Sequence, residues 1–143
     1  MIHSPQDAGR QQAIAIARDC LGTRFRHQGR APGIGLDCVG LLVHVMRQLG
    51  LSEYDYQHYG RLPFFGSLER YLTEAGLRPI DHQQAKLADV LLFRFDGGPQ
   101  HVALQSDLGM IHAFLLARRV VEHRIDNAWR NRLCGAYSLP WTD

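Results

Sequence analysis

The spacing of apolar residues changes period near Leu87, and that change constrains the fold more than any other feature of the chain. Ahead of it, apolar residues recur three and four apart. Ile14, Ala17 and Leu21 share a stripe in a helix predicted over Asp7 to Leu21 and closed by Gly22. Val39, Leu42, Val43, Met46 and Leu49 share another, opened by Asp37 as N-cap and closed by Gly50. A third, short helix begins at Ser67 and stops at Gly76. Between the first two, Gly29, Pro32, Gly33 and Gly35 break regular structure, so residues 23–35 are expected to form a loop. Beyond Leu87 the pattern is that of strands: Asp89 to Phe95, His101 to Ser106, Met110 to Leu115, Val120 to Ile125 and Cys134 to Leu139. Turn residues Gly97-Gly98-Pro99 and Asp107-Leu108-Gly109 separate the first three, and a short helix is expected near Trp129. Helices followed by strands predict an α+β domain, with the N-terminal helices covering one face of an antiparallel β-sheet meander.

The 143 residues suffice for one domain, 1–143, with its own core, and show no internal repeat or linker. With 45% hydrophobic residues and no apolar run near 18 residues, a globular chain without a membrane span is expected. A net charge of +2 and the absence of any Lys/Arg block argue against nucleic acid as a partner. The polar opening Met1-Ile2-His3-Ser4-Pro5-Gln6-Asp7 is unlike a secretion signal, so synthesis in the cytoplasm is expected. Three cysteines without C-x-x-C spacing suggest neither a disulfide framework nor a zinc knuckle.

Cys38 is the chemically pointed residue. At the first turn of a helix its sulfur meets unpaired N–H groups and the positive end of the dipole, both of which favour thiolate, so Cys38 is expected to alkylate faster than Cys20 or Cys134. Those two read as core fillers. A thiolate needs a base, and the base needs a partner that holds its tautomer. His101 opens the second strand, and His112, across the 107–109 hairpin, can share its face. Asp37 and Asp89 are explained by an N-cap and a turn. Tyr54, Tyr56, Tyr59, Phe64 and Phe65 suit either loop packing or the wall of a binding cleft.

The stretches Leu21-Gly22-Thr23-Arg24-Phe25-Arg26-His27-Gln28-Gly29, Gly35-Leu36-Asp37-Cys38-Val39-Gly40-Leu41, Ala88-Asp89-Val90-Leu91-Leu92-Phe93, Gln100-His101-Val102-Ala103 and Met110-Ile111-His112-Ala113 together resemble the NlpC-type cell-wall peptidases, small papain-like cysteine hydrolases. The resemblance covers nearly the whole chain. It is nearest to the phage- and prophage-associated branch, through Arg118-Arg119-Val120-Val121-Glu122-His123 and Tyr137-Ser138-Leu139-Pro140. It implies a papain-like fold with Cys38 as nucleophile, His101 as general base and acid, and His112 as the orienting residue. The implied reaction is hydrolysis of an amide bond in peptidoglycan stem peptides, D-glutamyl to diamino acid by family habit, through an acyl-enzyme. Phage tail or gene-transfer particle proteins are the implied partners, with delivery to the cell wall on such a particle. No cofactor is expected, and a zinc site on Cys38, His101 and His112 is the less favoured reading of those residues. One departure stands out: Phe25 occupies the place of the family's usual tyrosine, so either Arg26, His27 or Gln28 supplies the missing donor or oxyanion stabilisation is reduced. Phe25, Arg26, His27, Gln28 and Asp37 are therefore candidate substrate-binding residues. The rival reading of the same fold is a tail-assembly component without turnover.

Overall fold

The computed structural model describes residues 5–55, 59, 67–95 and 98–142. Eight strands and four α-helices are found among them, in the order α1 (Pro5–Asp19), β1 (Arg30–Ala31), β2 (Gly35–Leu36), α2 (Cys38–Gln48), α3 (Ser67–Glu74), β3 (Arg78–Ile80), β4 (Val90–Phe95), β5 (Gly98–Gln105), β6 (Met110–Phe114), β7 (Arg119–His123), α4 (Asn127–Arg132) and β8 (Leu133–Ser138). A single 3-10 turn, His82–Gln84, lies between β3 and β4.

The period change is realised as two layers. β3-β8-β4-β5-β6-β7 form one six-stranded sheet in which each pair described is antiparallel. Val90, Leu92, Val102, Leu104 and Ile111 face the helices and join Ala13, Ile14, Leu41 and Leu42 in the main core. Leu91, Phe93, Ala103 and Met110 face the other way and are covered by Trp129 and Leu133. Val90, Leu91, Leu92 and Phe93 are thus all buried, which explains why β4 reads as a continuous apolar run rather than an alternating one. α2 is likewise buried on most of its circumference, from Cys38 through Met46, because it is wedged between the sheet and the other helices.

The sheet is not a simple meander. β4 through β7 follow one another, but β8 returns to lie between β4 and β3, pairing Val90 with Tyr137 and Arg78 with Ser138. β3, not anticipated from the sequence, contains Pro79. A proline that lacks an N–H is tolerated at the sheet edge, and β3 is an edge strand. The 23–35 segment also differs from a plain loop: β1 and β2 form a small hairpin, and Phe25 bridges to Leu36. The Gly22 N–H donates to the Val120 carbonyl (3.0 Å), the Phe25 N–H to that of Arg118 (2.9 Å) and the Leu36 N–H to that of Arg24 (3.0 Å). The segment is thereby sewn between β7 and the start of α2.

Asp89 makes the turn expected of it, accepting from the Lys86 N–H at 2.9 Å, and also pairs with Arg10 at 2.7 Å. Arg10 and Asp89 are 5% and 1% exposed, so the ion pair fixes α1 against the start of β4 inside the core.

Glycine at position 40 is required by a close backbone approach. A Cβ added to Gly40 would lie 2.0 Å from the Gly29 carbonyl oxygen, an atom that cannot swing aside. Gly40→Ala is therefore expected to cost about 3 kcal/mol or more, read as a lowered Tm, since the loop must leave the helix end. An unchanged Tm would show that the contact yields freely.

Candidate active site

The site is built around the first turn of α2. Asp37 caps the helix, accepting from the Gly40 N–H at 2.7 Å. Its carboxylate also accepts from the Gln28 N–H (2.8 Å), from the Arg30 guanidinium (3.2 Å) and from the Tyr59 hydroxyl. Burial, then the Asp37 charge, push the Tyr59 hydroxyl well above the ordinary phenol range, so it stays a donor. Gln28 has φ 61, a left-handed backbone held by its N–H to Asp37 and by its Nε2 on the Tyr59 carbonyl (2.7 Å). Asp37 thus spends its lone pairs on the protein itself, binding the 26–30 loop and Tyr59 to the helix mouth.

Cys38 follows, 8% exposed. Its sulfur lies within reach of the backbone N–H groups of Val102, Val39 and Cys38, and these act in the direction expected of a helix terminus. Burial acts more strongly and the Asp37 charge adds to it, so the thiol is pushed up to about 12. Burial thus works against the thiolate that the helix terminus favours. Half-buried Cys134 is more accessible than Cys38, while Cys20 is 1% exposed. Among the described residues, no hydrogen bond joins the Cys38 sulfur to the His101 ring in this resting arrangement. Contact with β5 is made at Val102, the residue after His101.

β5 and β6 bring the two predicted histidines together, His101 Nε2 to His112 Nδ1 at 2.6 Å. His101 is 7% exposed and His112 is fully buried. The chain of imidazoles does not stop there. His112 Nε2 lies 2.8 Å from His123 Nε2 on β7, and His123 Nδ1 lies 2.7 Å from the Arg124 carbonyl oxygen. Trp129 stands against all three rings, with centroids 5.9, 5.1 and 5.9 Å away, and Phe93, Phe95 and Phe114 complete an aromatic enclosure. Burial in this apolar box lowers His101 to about 3, with the His123 charge adding, and His112 to about 2, with His101 and His123 adding. Both are therefore neutral at physiological pH. The ring nitrogens face one another, and among the described residues no group of three or more His, Cys, Asp or Glu is arranged to hold a metal ion.

The remaining candidates scatter around this centre. Phe25 packs against the main core and lines a cavity of about 650 Å³ with Gly22, Arg24, Leu115, Arg118 and Arg119. Arg26 is exposed and lies over Gly35, where a Cβ would come within 2.7 Å of it. His27 meets the Tyr59 ring edge-on at 5.5 Å. Tyr54 packs edge-on against Tyr71 at 5.4 Å, whereas Tyr56, Phe64 and Phe65 lie outside the described residues. A second cavity, of about 570 Å³, is lined by Gln105, Asp107, Arg124 and Arg130 among others and does not include Cys38, His101 or His112.

Sequence reasoning missed His123, Trp129 and the hydroxyl of Tyr59 as parts of this centre. For His123 a signal existed: the three histidines are spaced eleven apart, one per hairpin strand. The register that turns the spacing into contact, His112 opposite Val121 and Met110 opposite His123, places His112 and His123 on one diagonal.

The pattern of the NlpC/P60 family matches residues 22–138. No curated protein matches the chain at a significant level. Among solved structures it is similar to the NlpC/p60 domain of the peptidoglycan hydrolase SagA, with TM-score 0.64 and 24% identity over 91% of this chain and 98% of that one. It is similar also to an NlpC/P60 family protein from Bacillus cereus, with TM-score 0.70 and 20% identity over 92% of this chain but only 40% of that one. RipD from Mycobacterium tuberculosis, described as a non-catalytic NlpC/p60 domain protein adapted to peptidoglycan binding, shares the fold with TM-score 0.59 and 20% identity over 90% of this chain and 95% of that one. With helices on an antiparallel sheet, a cysteine at a helix mouth, paired histidines on adjoining strands and a family pattern running through all of them, this chain belongs to the NlpC/P60 family.

Proposed function

We propose that the protein is a cysteine peptidase that hydrolyses an amide bond in peptidoglycan stem peptides. The carrying observation is the His101–His112 contact at 2.6 Å, on the strand whose next residue touches the Cys38 sulfur. In this reading the neutral His101 takes the thiol proton as the sulfur attacks the carbonyl carbon, so that charge forms only when substrate is in place. The backbone N–H of Cys38, at the mouth of α2, is the donor for the developing oxyanion. The carbonyl then reforms, the C–N bond breaks, and the leaving amine recovers the proton from His101. Water hydrolyses the thioester with His101 acting as base.

Three arginines, Arg24, Arg118 and Arg119, line the cavity beside Phe25 and suit the carboxylates of a stem peptide. The D-glutamyl to diamino acid bond is the specific target proposed, and Phe25, Arg26, His27 and Gln28 are the proposed cleft residues. Asp37 is assigned to supporting them. Service with a phage tail or gene-transfer particle, which would carry cytoplasmically made enzyme to the wall, rests on the likeness of residues 118–123 and 137–140 to that branch.

A non-catalytic, wall-binding or tail-assembly role is the second reading. It is favoured by Phe25 in place of a tyrosine and by the burial that pushes the Cys38 thiol up. Incubation with purified peptidoglycan followed by mass spectrometry separates the two. The expected result is release of fragments carrying a new amine on the diamino acid; intact peptidoglycan that nevertheless retains the protein would select the binding role.

A further inference from the structure

The hydrogen-bond partners of His123 fix the proton positions of the whole histidine chain. The Arg124 carbonyl can only accept, so His123 Nδ1 carries a proton, and in the neutral ring its Nε2 holds a lone pair. His112 Nε2 must then donate to His123, leaving His112 Nδ1 as acceptor for His101 Nε2–H. The nitrogen left with a free lone pair is Nδ1 of His101. One backbone carbonyl, three rings away, therefore sets the tautomer of the residue assigned as base.

We propose that His123 is a fourth member of the site, the terminal proton acceptor of a three-imidazole relay that begins at His101. The proposal rests on the hydrolase reading for its catalytic meaning. When the Cys38 S–H bond breaks, its proton goes to His101 Nδ1. The His101 Nε2 proton passes to His112 Nδ1, and the His112 Nε2 proton passes to His123 Nε2. His123 is left as imidazolium, protonated at both nitrogens, while His101 and His112 are neutral again. Collapse of the tetrahedral intermediate runs the chain backwards and delivers a proton from His101 Nδ1 to the leaving amine. No outside donor or acceptor is needed.

Solvation is the reason to relay. His101 and His112 sit inside the aromatic enclosure, where an imidazolium is costly, whereas His123 is half-buried beside the exposed Arg124 at the end of β7. The groups facing His123 are His112 from β6, Trp129 from α4 and the Arg124 carbonyl. Arg124 follows His123 in the chain, and on the opposite face of the strand Glu122 pairs with Arg18, which also meets Asp107. A positive charge on His123 keeps water contact that the inner two rings lack.

Two variants separate relay from orientation. His123→Gln keeps an acceptor oxygen for His112 Nε2–H but cannot take a proton, and His123→Phe offers neither. Both are expected to lower kcat about 10²-fold with KM little changed, because proton transfer in the transition state is what they lose. A His123→Gln enzyme at wild-type rate would reduce His123 to orientation and overturn the relay. Nitrogen-15 NMR of the histidine rings tests the same chain without turnover. Wild-type protein at neutral pH should show protons on His101 Nε2, His112 Nε2 and His123 Nδ1. A proton on His101 Nδ1 at neutral pH would sink the proposal. Should the wild-type protein leave peptidoglycan intact, the hydrolase reading fails while the ring tautomers still decide the relay.

Discussion

Cys38→Ala is expected to abolish release of peptidoglycan fragments, by on the order of 10³-fold at the least, while the protein stays folded. Removing a nucleophile leaves only substrate binding and the oxyanion donor, and neither forms an acyl-enzyme. Stability should change by about 1 kcal/mol, since the lost atom is one sulfur in a small core position. Cys38→Ser should be almost as inactive. Its hydroxyl is a far weaker acid than a thiol, and the base that meets it, His101, is held at about 3 by burial. Fragment release by mass spectrometry and a far-UV CD melt check both halves. Cleavage that persists in a folded Cys38→Ala protein would require a different nucleophile, and no cleavage by either wild type or variant would select the binding role.

The second large effect is acid sensitivity of the fold. His101 and His112 titrate near 3 and 2 in the folded protein, against 6.5 for an ordinary histidine. Between those limits the unfolded chain binds protons on both residues and the folded chain does not. Stability therefore rises with pH through the window, and is lost as pH falls below about 6.5. Each group contributes at most about 1.4 kcal/mol per pH unit, so at pH 4 the loss reaches an upper bound of about 7 kcal/mol, comparable with the whole stability of a domain this size. His44, lowered by burial on α2, adds in the same direction. Cys38 acts oppositely at the alkaline end: its folded value near 12 lies above the ordinary 9, so stability falls as pH rises past about 9. Urea midpoints at pH 7, 5.5 and 4 should drop steeply. Equal midpoints across that range would mean that the imidazoles are charged or well solvated inside the native state.

Much of this was legible from the chain. Asp37 capping a helix that starts at Cys38 is a local matter: a short acceptor side chain, the N–H of Gly40 three residues on, and an apolar stripe behind. The 107–109 turn was equally local, with the Gly109 N–H donating to Ser106 Oγ and the Ser106 N–H to the Gly109 carbonyl. It was enough to set His101 and His112 on adjoining strands. Features that depend on distant segments were not legible. β8 inserts between β3 and β4 across more than forty residues, and the short hairpin in 30–36 exists because β7 and α2 hold its ends. Neither leaves a periodic trace in the strand concerned.

The amino-acid order on its own determined the α+β layering, the helix mouth at Cys38 and the pairing of two histidines, because capping, periodicity and tight turns act over a few residues. The tertiary structure alone decided how deeply that centre is desolvated and supplied its third imidazole. Helix-end amides favour a thiolate, but burial beneath the sheet and the neighbouring Asp37 outweigh them, and desolvation is a property of everything packed around an atom rather than of its place in the chain. His123 joined the centre for the same reason, through a strand register that brings it to His112 and a carbonyl that fixes its proton.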